Sequence, residues 1–361
     1  MLRLALTLLL LFSTSVPAQE LHTFSNGEVA DAEKINENFE LLRHMTAGAQ
    51  TSVEANCTED PDAFASSWVD KSSFKNISFN VIGDCVVTDE VQRDLNALQG
   101  RFVRIQGRLD EDRLCSSSLN WAPSPANELK VSRGKLALSC LSLKGVSDLD
   151  EPVTFGLSAQ EFGEIALSRV SAQRFGNFQA TDYGIIDAFI SAETMGYVVA
   201  LNNSTAAVVC ENETQIDWRS IQVFSWSTVT VINCNASGLD SLYSEEGGRA
   251  VLNSVDLEVK YVNVSSSSQL QIAGSNVSAL NQLAVRDNSF MEINSGTSIS
   301  APKTIVQRGG KMTLGSRSVL QSEELSVTLG SGVFWSATSG AMLLAENISE
   351  DTTSYVSSTY P

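Results

Sequence analysis

Asp182 and Asp187 stand on either side of the short apolar run Gly184-Ile-Ile. Acid pairs are what glycoside hydrolysis uses, one carboxyl donating a proton while the other acts as base or nucleophile. These two are therefore the candidates for hydrolytic chemistry. Asp217-Trp218-Arg219 sets an acid and a base around an aromatic ring, and Trp121 lies in a Pro-containing stretch without apolar periodicity. An exposed indole offers a flat apolar face on which a sugar can stack, so Trp121, Trp218 and Arg219 are the candidate ligand-binding residues. Asp148-Leu-Asp-Glu151 has the composition to hold a cation. For each of these charges a solvated loop position is the commoner explanation. No CxxC or Cys/His spacing suggests a metal, and neither metal nor cofactor is expected.

The elements that must position such residues come from a repeat. Cut at Val262, Leu283, Thr304 and Leu325, the chain falls into four ungapped blocks of 21 residues whose apolar positions align. One column reads Val264, Val285, Val306, Val327. Others read Ile272, Ile293, Leu314, Trp335 and Leu270, Met291, Met312, Val333. A fixed period of this length marks a stacked architecture in which each repeat buries its apolar face on its neighbours. Apolar residues alternate, as in Leu270-Gln-Ile272, which is the period of a half-buried strand. A further column, Ser267, Asn288, Gly309, Gly330, holds residues that turn easily, so it reads as a corner.

Strands of three to five residues, corners of variable length and 21–24 residues per coil resemble the right-handed parallel β-helix of pectin-lyase-like proteins, over roughly Ile77 to Ala345. The resemblance implies an all-β solenoid and a group rich in polysaccharide lyases and hydrolases. The polygalacturonase elements Asn-Thr-Asp, Asp-Asp, Gly-His-Gly and Arg-Ile-Lys do not occur here, nor does the lyase pattern Arg-x-Pro-x-x-Arg. Upstream, Thr23 to Leu42, with Phe and Gly, then Ala-x-Ala, then Asn-x-Asn-Phe, resembles a short element near the start of bacterial secreted and phage-fibre-like proteins. Within it Asp31 is a plausible helix N-cap, and Ala32, Ile35, Phe39 and Leu42 form an apolar stripe that either docks on the solenoid or joins copies of the chain.

Met1-Leu-Arg3, the apolar run Leu4 to Phe12 and Val16-Pro-Ala18 read as a signal peptide cleaved near Ala18. A secreted or periplasmic destination is expected, and no later stretch suits a transmembrane helix. Six cysteines agree with an oxidising compartment. Positions stacked on successive coils lie about 4.8 Å apart, inside the roughly 4.4–6.8 Å window of a disulfide. Cys115 with Cys140 and Cys210 with Cys234 are each separated by about one coil, and Ala207-Val-Val-Cys210 overlays Val231-Ile-Asn-Cys234, so sequential pairing is expected, with Cys57 joined to Cys85. The charge balance, 24 Lys and Arg against 42 Asp and Glu for a net of −18, argues against nucleic acid.

The expected organisation is a signal peptide over 1–18, an N-terminal helix and linker over 19–50, a cap with first irregular coils over 51–150, the β-helix over 151–345 and a polar tail over 346–361. The stretches 110–129 and 151–200 read as irregular excursions, where binding sites are usually mounted. Function is expected to be non-catalytic and adhesin-like, the polar solenoid contacting an extracellular polysaccharide or cell-surface glycan. A lyase or hydrolase with a non-standard site around Asp182 and Asp187, and a structural spacer or matrix protein, are the alternatives.

Overall fold

In the computed structural model, residues 51–71, 76–110, 114–121, 127–145, 154–211 and 215–358 are described. The expected signal peptide, the helix expected from Asp31 and the stretch Asp148–Glu151 lie outside them. Thr51–Pro361 forms one unit, a parallel β-solenoid that is mostly strand.

A single coil shows why the alternating sequence folds this way. Arg249–Asn253 buries Ala250 and Leu252 and turns Arg249 and Asn253 outward, a burial alternation of period two. After a tight turn, Asp256–Val264 continues and bends part-way along, so one strand supplies two faces. A second turn at Ser265–Ser268 leads into Gln269–Ala273, stacked directly on Arg249–Asn253. Each coil thus presents three faces around one apolar core. Every pairing between named strands is parallel, as a solenoid requires.

The repeat read from the sequence is the register of the stack. Val262 pairs with Leu283, Leu283 with Thr304 and Thr304 with Leu325. Leu270, Met291, Met312 and Val333 form one inward column, and Ile272, Ile293, Leu314 and Trp335 its neighbour. All of these are buried except Trp335, which packs partly buried against the core.

The N-terminal coils are wider. Thr51 pairs with Ile77, Asn76 with Phe102, Phe102 with Lys135 and Lys135 with Glu164, so a coil there takes 26 to 33 residues. The excess holds two helices. Helix α1, Ala63–Lys71, places Phe64 and Trp68 against Phe79, each with ring centroids 5.2 Å apart. Trp68 Nε1 donates to Asp94 Oδ2 of helix α2, Asp89–Asn96, at 3.0 Å. Thr88 caps α2 by accepting the Val91 amide, and Val91 and Leu95 are buried.

Much of what is described in the two stretches expected to be irregular belongs to the stack. Glu164–Thr181 and Ile185–Leu201 are long, bent strands, and Glu164 pairs with Ile185, one ordinary coil away. Ser117–Trp121, inside the expected loop 110–129, is a buried strand paired with Asp84–Val87. At the other end Met342–Glu350 and Tyr355–Ser357 add a further coil. Asp351 fastens that coil: its carboxylate accepts the Leu329 amide, then the Ser354 hydroxyl and Thr353, which together hold its pKa down at about 2.

The disulfides are Cys57–Cys85, Cys115–Cys140 and Cys210–Cys234, with Cα separations of 5.1, 4.9 and 5.0 Å. The local overlay at the third pair is one residue different from the expected one: Val208, not Ala207, pairs with Val231. Asn233, at φ 56°, takes up the extra residue and returns Cys234 to the interior.

Candidate functional site

One corner of the solenoid is built from paired residues in the left-handed region. The corner column expected at Ser267, Asn288, Gly309 and Gly330 has φ of 63°, 59°, 75° and 71°, and each preceding residue is left-handed too. The column continues upstream through Glu246-Gly247, Ser225-Trp226, Asn202-Asn203, Asp182-Tyr183 and Glu161-Phe162. Amides of the second turn residue donate to carbonyls of the next coil, Phe162 to Asp182 at 3.2 Å, Tyr183 to Asn202 at 3.2 Å, Asn203 to Ser225 at 3.0 Å and Trp226 to Glu246 at 3.1 Å. This ladder holds the corner straight along the axis. The residue after each pair is small: a Cβ on Gly163 or Gly184 would stand 2.0 Å from a carbonyl oxygen of the preceding coil. Where serine takes that place, as at Ser227 and Ser268, its hydroxyl accepts an amide of the preceding coil at 3.1 Å.

Three of these second positions carry large aromatic side chains. Phe162, Tyr183 and Trp226 sit at φ 66°, 66° and 62° and are 70%, 52% and 73% exposed. A bulky residue at positive φ costs on the order of 1 kcal/mol, and at this exposure little burial offsets it. Glycine and asparagine, which enter this region at little cost, fill the same place in five other coils, and serine takes it at Ser267. Phe162 and Tyr183 stack with centroids 4.9 Å apart and planes within 5°. The nearest atoms to a Cβ on Gly247 would be Cδ2, Cε3 and Cε2 of Trp226, at 2.8 to 3.0 Å. Two of these are ring-fusion carbons, reachable only through the face of the indole. One face of the Trp226 ring therefore lies against Gly247, and the side chain as a whole is exposed.

Polar groups border the rings. Asp182 Oδ1 accepts from Asn202 Nδ2 at 2.9 Å, and Glu246 Oε2 from Ser225 Oγ at 2.8 Å. Beyond Phe162 the corner opens into a shallow depression of about 410 Å³, lined in part by Arg101, Phe102, Arg133, Lys135 and Glu164. Its cations are engaged: Arg133 with Glu161 at 3.0 Å, Lys135 with Glu164, and Arg101 with the carbonyls of Asp94 in α2 and of its C-cap Ala97. A second surface groove, of about 500 Å³ around Ser278, Leu280, Ala301, Pro302, Ser322 and Glu323, is lined without an aromatic ring.

The residues singled out from the sequence fall differently. Trp121 is 1% exposed and packs edge-on against Phe155, and Trp218 is 0% exposed. Neither can receive a ligand, because both point into the core. Arg219 is exposed beside Trp218, at a bulge where the strand changes face. Asp182 lies on the aromatic corner next to Tyr183. Asp187 is exposed on the adjoining face, its backbone paired between Ala166 and Ala207. Asp182 lies in the left-handed turn and Asp187 in the strand that follows it, so the two acids stand on different surfaces of the coil. No cluster of three metal-binding side chains occurs among the described residues.

The corner aromatics were missed. Their signal was an exposed-type turn pair followed by a small residue, Glu161-Phe-Gly163 and Asp182-Tyr-Gly184, spaced by one coil. No helix among the described residues is long and apolar enough to cross a membrane. No family model, no curated protein and no solved structure matches the chain.

Proposed function

We propose that this protein is an exported, adhesin-like solenoid that binds an extracellular or cell-surface glycan without turning it over. The signal peptide read in residues 1–18 and the three disulfides support export and an extracellular role. The binding reading rests on one observation: three bulky aromatics held exposed at positive φ along one straight corner. Residues held in sparsely populated backbone regions cluster at functional sites, and exposed aromatic rings bordered by carboxylate and amide groups suit sugars. Weak contacts on successive coils add along a long ligand.

The test is a panel of polysaccharides offered to the leader-free chain, reading retention together with new reducing or unsaturated ends. Retention without new ends is expected. Release of such ends, abolished by Asp182→Asn or Asp187→Asn, would replace this reading with a hydrolase or lyase. A chain that is retained on nothing would favour a structural spacer.

A further inference from the structure

We infer that the corner ridge takes a neutral, extended polysaccharide running along the solenoid axis, gripped at two contacts two coils apart. This rests on the glycan-binding reading and names its ligand class. The first contact is the exposed rim of the Phe162–Tyr183 pair, whose stacked faces are turned on one another, and the second is the Trp226 ring, with Asn203 between them. At a strand spacing of about 4.8 Å, Tyr183 and Trp226 are about 9.6 Å apart along the axis. That is the length of a disaccharide in an extended, β-1,4-linked chain, which advances by close to one coil per sugar ring. A chain laid along the corner meets both contacts, whereas one laid across it meets a single ring.

The charge around the ridge selects against acidic sugars. Glu161, Asp182 and Glu246 occupy first positions of the same turns, and Asp182 and Glu246 have acceptor oxygens placed to take sugar hydroxyls. The cations of the adjoining depression are already held by Glu161, Glu164 and carbonyls at the C-terminal end of α2. With a chain charge of −18, a uronate or sulfate would meet net repulsion here. Neutral hydroxyl-bearing rings meet acceptors beside apolar faces.

Binding is measured on the leader-free chain with β-1,4-linked glucose oligomers and N-acetylglucosamine oligomers of two to six units, beside galacturonate oligomers of the same lengths. Affinity for at least one neutral series is expected to rise to about four units, the coils from Phe162 to Trp226, and then level off. Trp226→Gly is expected to weaken binding about tenfold, the scale of one lost stacking contact, while its melting temperature stays level or rises because glycine accepts the positive φ. Asn203→Tyr, which fills the gap between the contacts, is expected to tighten binding several-fold. Preference for the galacturonate series, lost in Trp226→Gly, would overturn the neutral class and leave glycan binding standing. Affinity independent of length would overturn the axial arrangement. Binding unchanged in Trp226→Gly would remove the ridge as the site. Self-association that Trp226→Gly abolishes, without glycan retention, would make the ridge a protein interface and overturn both readings.

Discussion

Thr304 is the one polar side chain in the inward column of Val262, Leu283 and Leu325. It is 0% exposed, and its hydroxyl has no hydrogen-bond partner. Burying an unsatisfied hydroxyl costs about 1–3 kcal/mol, whereas replacing it by a methyl group of similar shape removes that cost. Thr304→Val is therefore expected to stabilise the protein by about 1 kcal/mol, read as a higher urea midpoint. A lower midpoint would mean that the hydroxyl is satisfied in solution. The same logic separates the tryptophans. Trp121 and Trp218 are buried with unpartnered indole N–H groups, so they are packing residues with a polar liability, whereas Trp226 contributes little burial and is exposed.

Among the elements, the coil containing Cys210 bears the clearest constraint. Cys210 and Cys234 lie on successive coils, with their Cα atoms 5.0 Å apart, across a turn that absorbs one residue of register at Asn233. Closing a loop of this size in the unfolded chain contributes about 3 kcal/mol. The double replacement Cys210→Ser with Cys234→Ser should lower the denaturation midpoint accordingly and raise amide exchange in Thr205–Cys210 and Thr228–Ile232. Non-reducing peptide mapping of the wild type should recover this pair joined. Alkylation of all six thiols without reductant would contradict the arrangement. The corner carrying Phe162, Tyr183 and Trp226 is a different kind of element, a ladder of backbone amides and carbonyls that keeps its geometry whichever side chain sits in the second position.

Over the whole molecule, coils touch chiefly their neighbours, so stability is close to a sum of coil and interface terms. Val285→Asp places a carboxylate between Val264 and Val306, at a cost of several kcal/mol. Exchange and limited proteolysis should show opening centred on the coils around Val285, with the α1 and α2 end still protected. Unchanged protease resistance would contradict the column. Stacking by a constant step is a one-dimensional rule, which is why counting in steps of 21 recovered the columns from Val262 to Trp335 and one-coil spacing recovered two of the disulfides, the third following from sequential pairing. Upstream the step varies, 33 and 29 residues in the early coils and 20 or 23 later, and in a strand a slip of one residue moves every side chain to the opposite face. Counting then loses the distinction between inside and outside. Only the folded backbone decided that Trp121 and Trp218 point inward, that Asp182 and Asp187 stand on different surfaces, and that Phe162, Tyr183 and Trp226 line one corner, because that alignment depends on turn conformation at each coil rather than on distance along the chain.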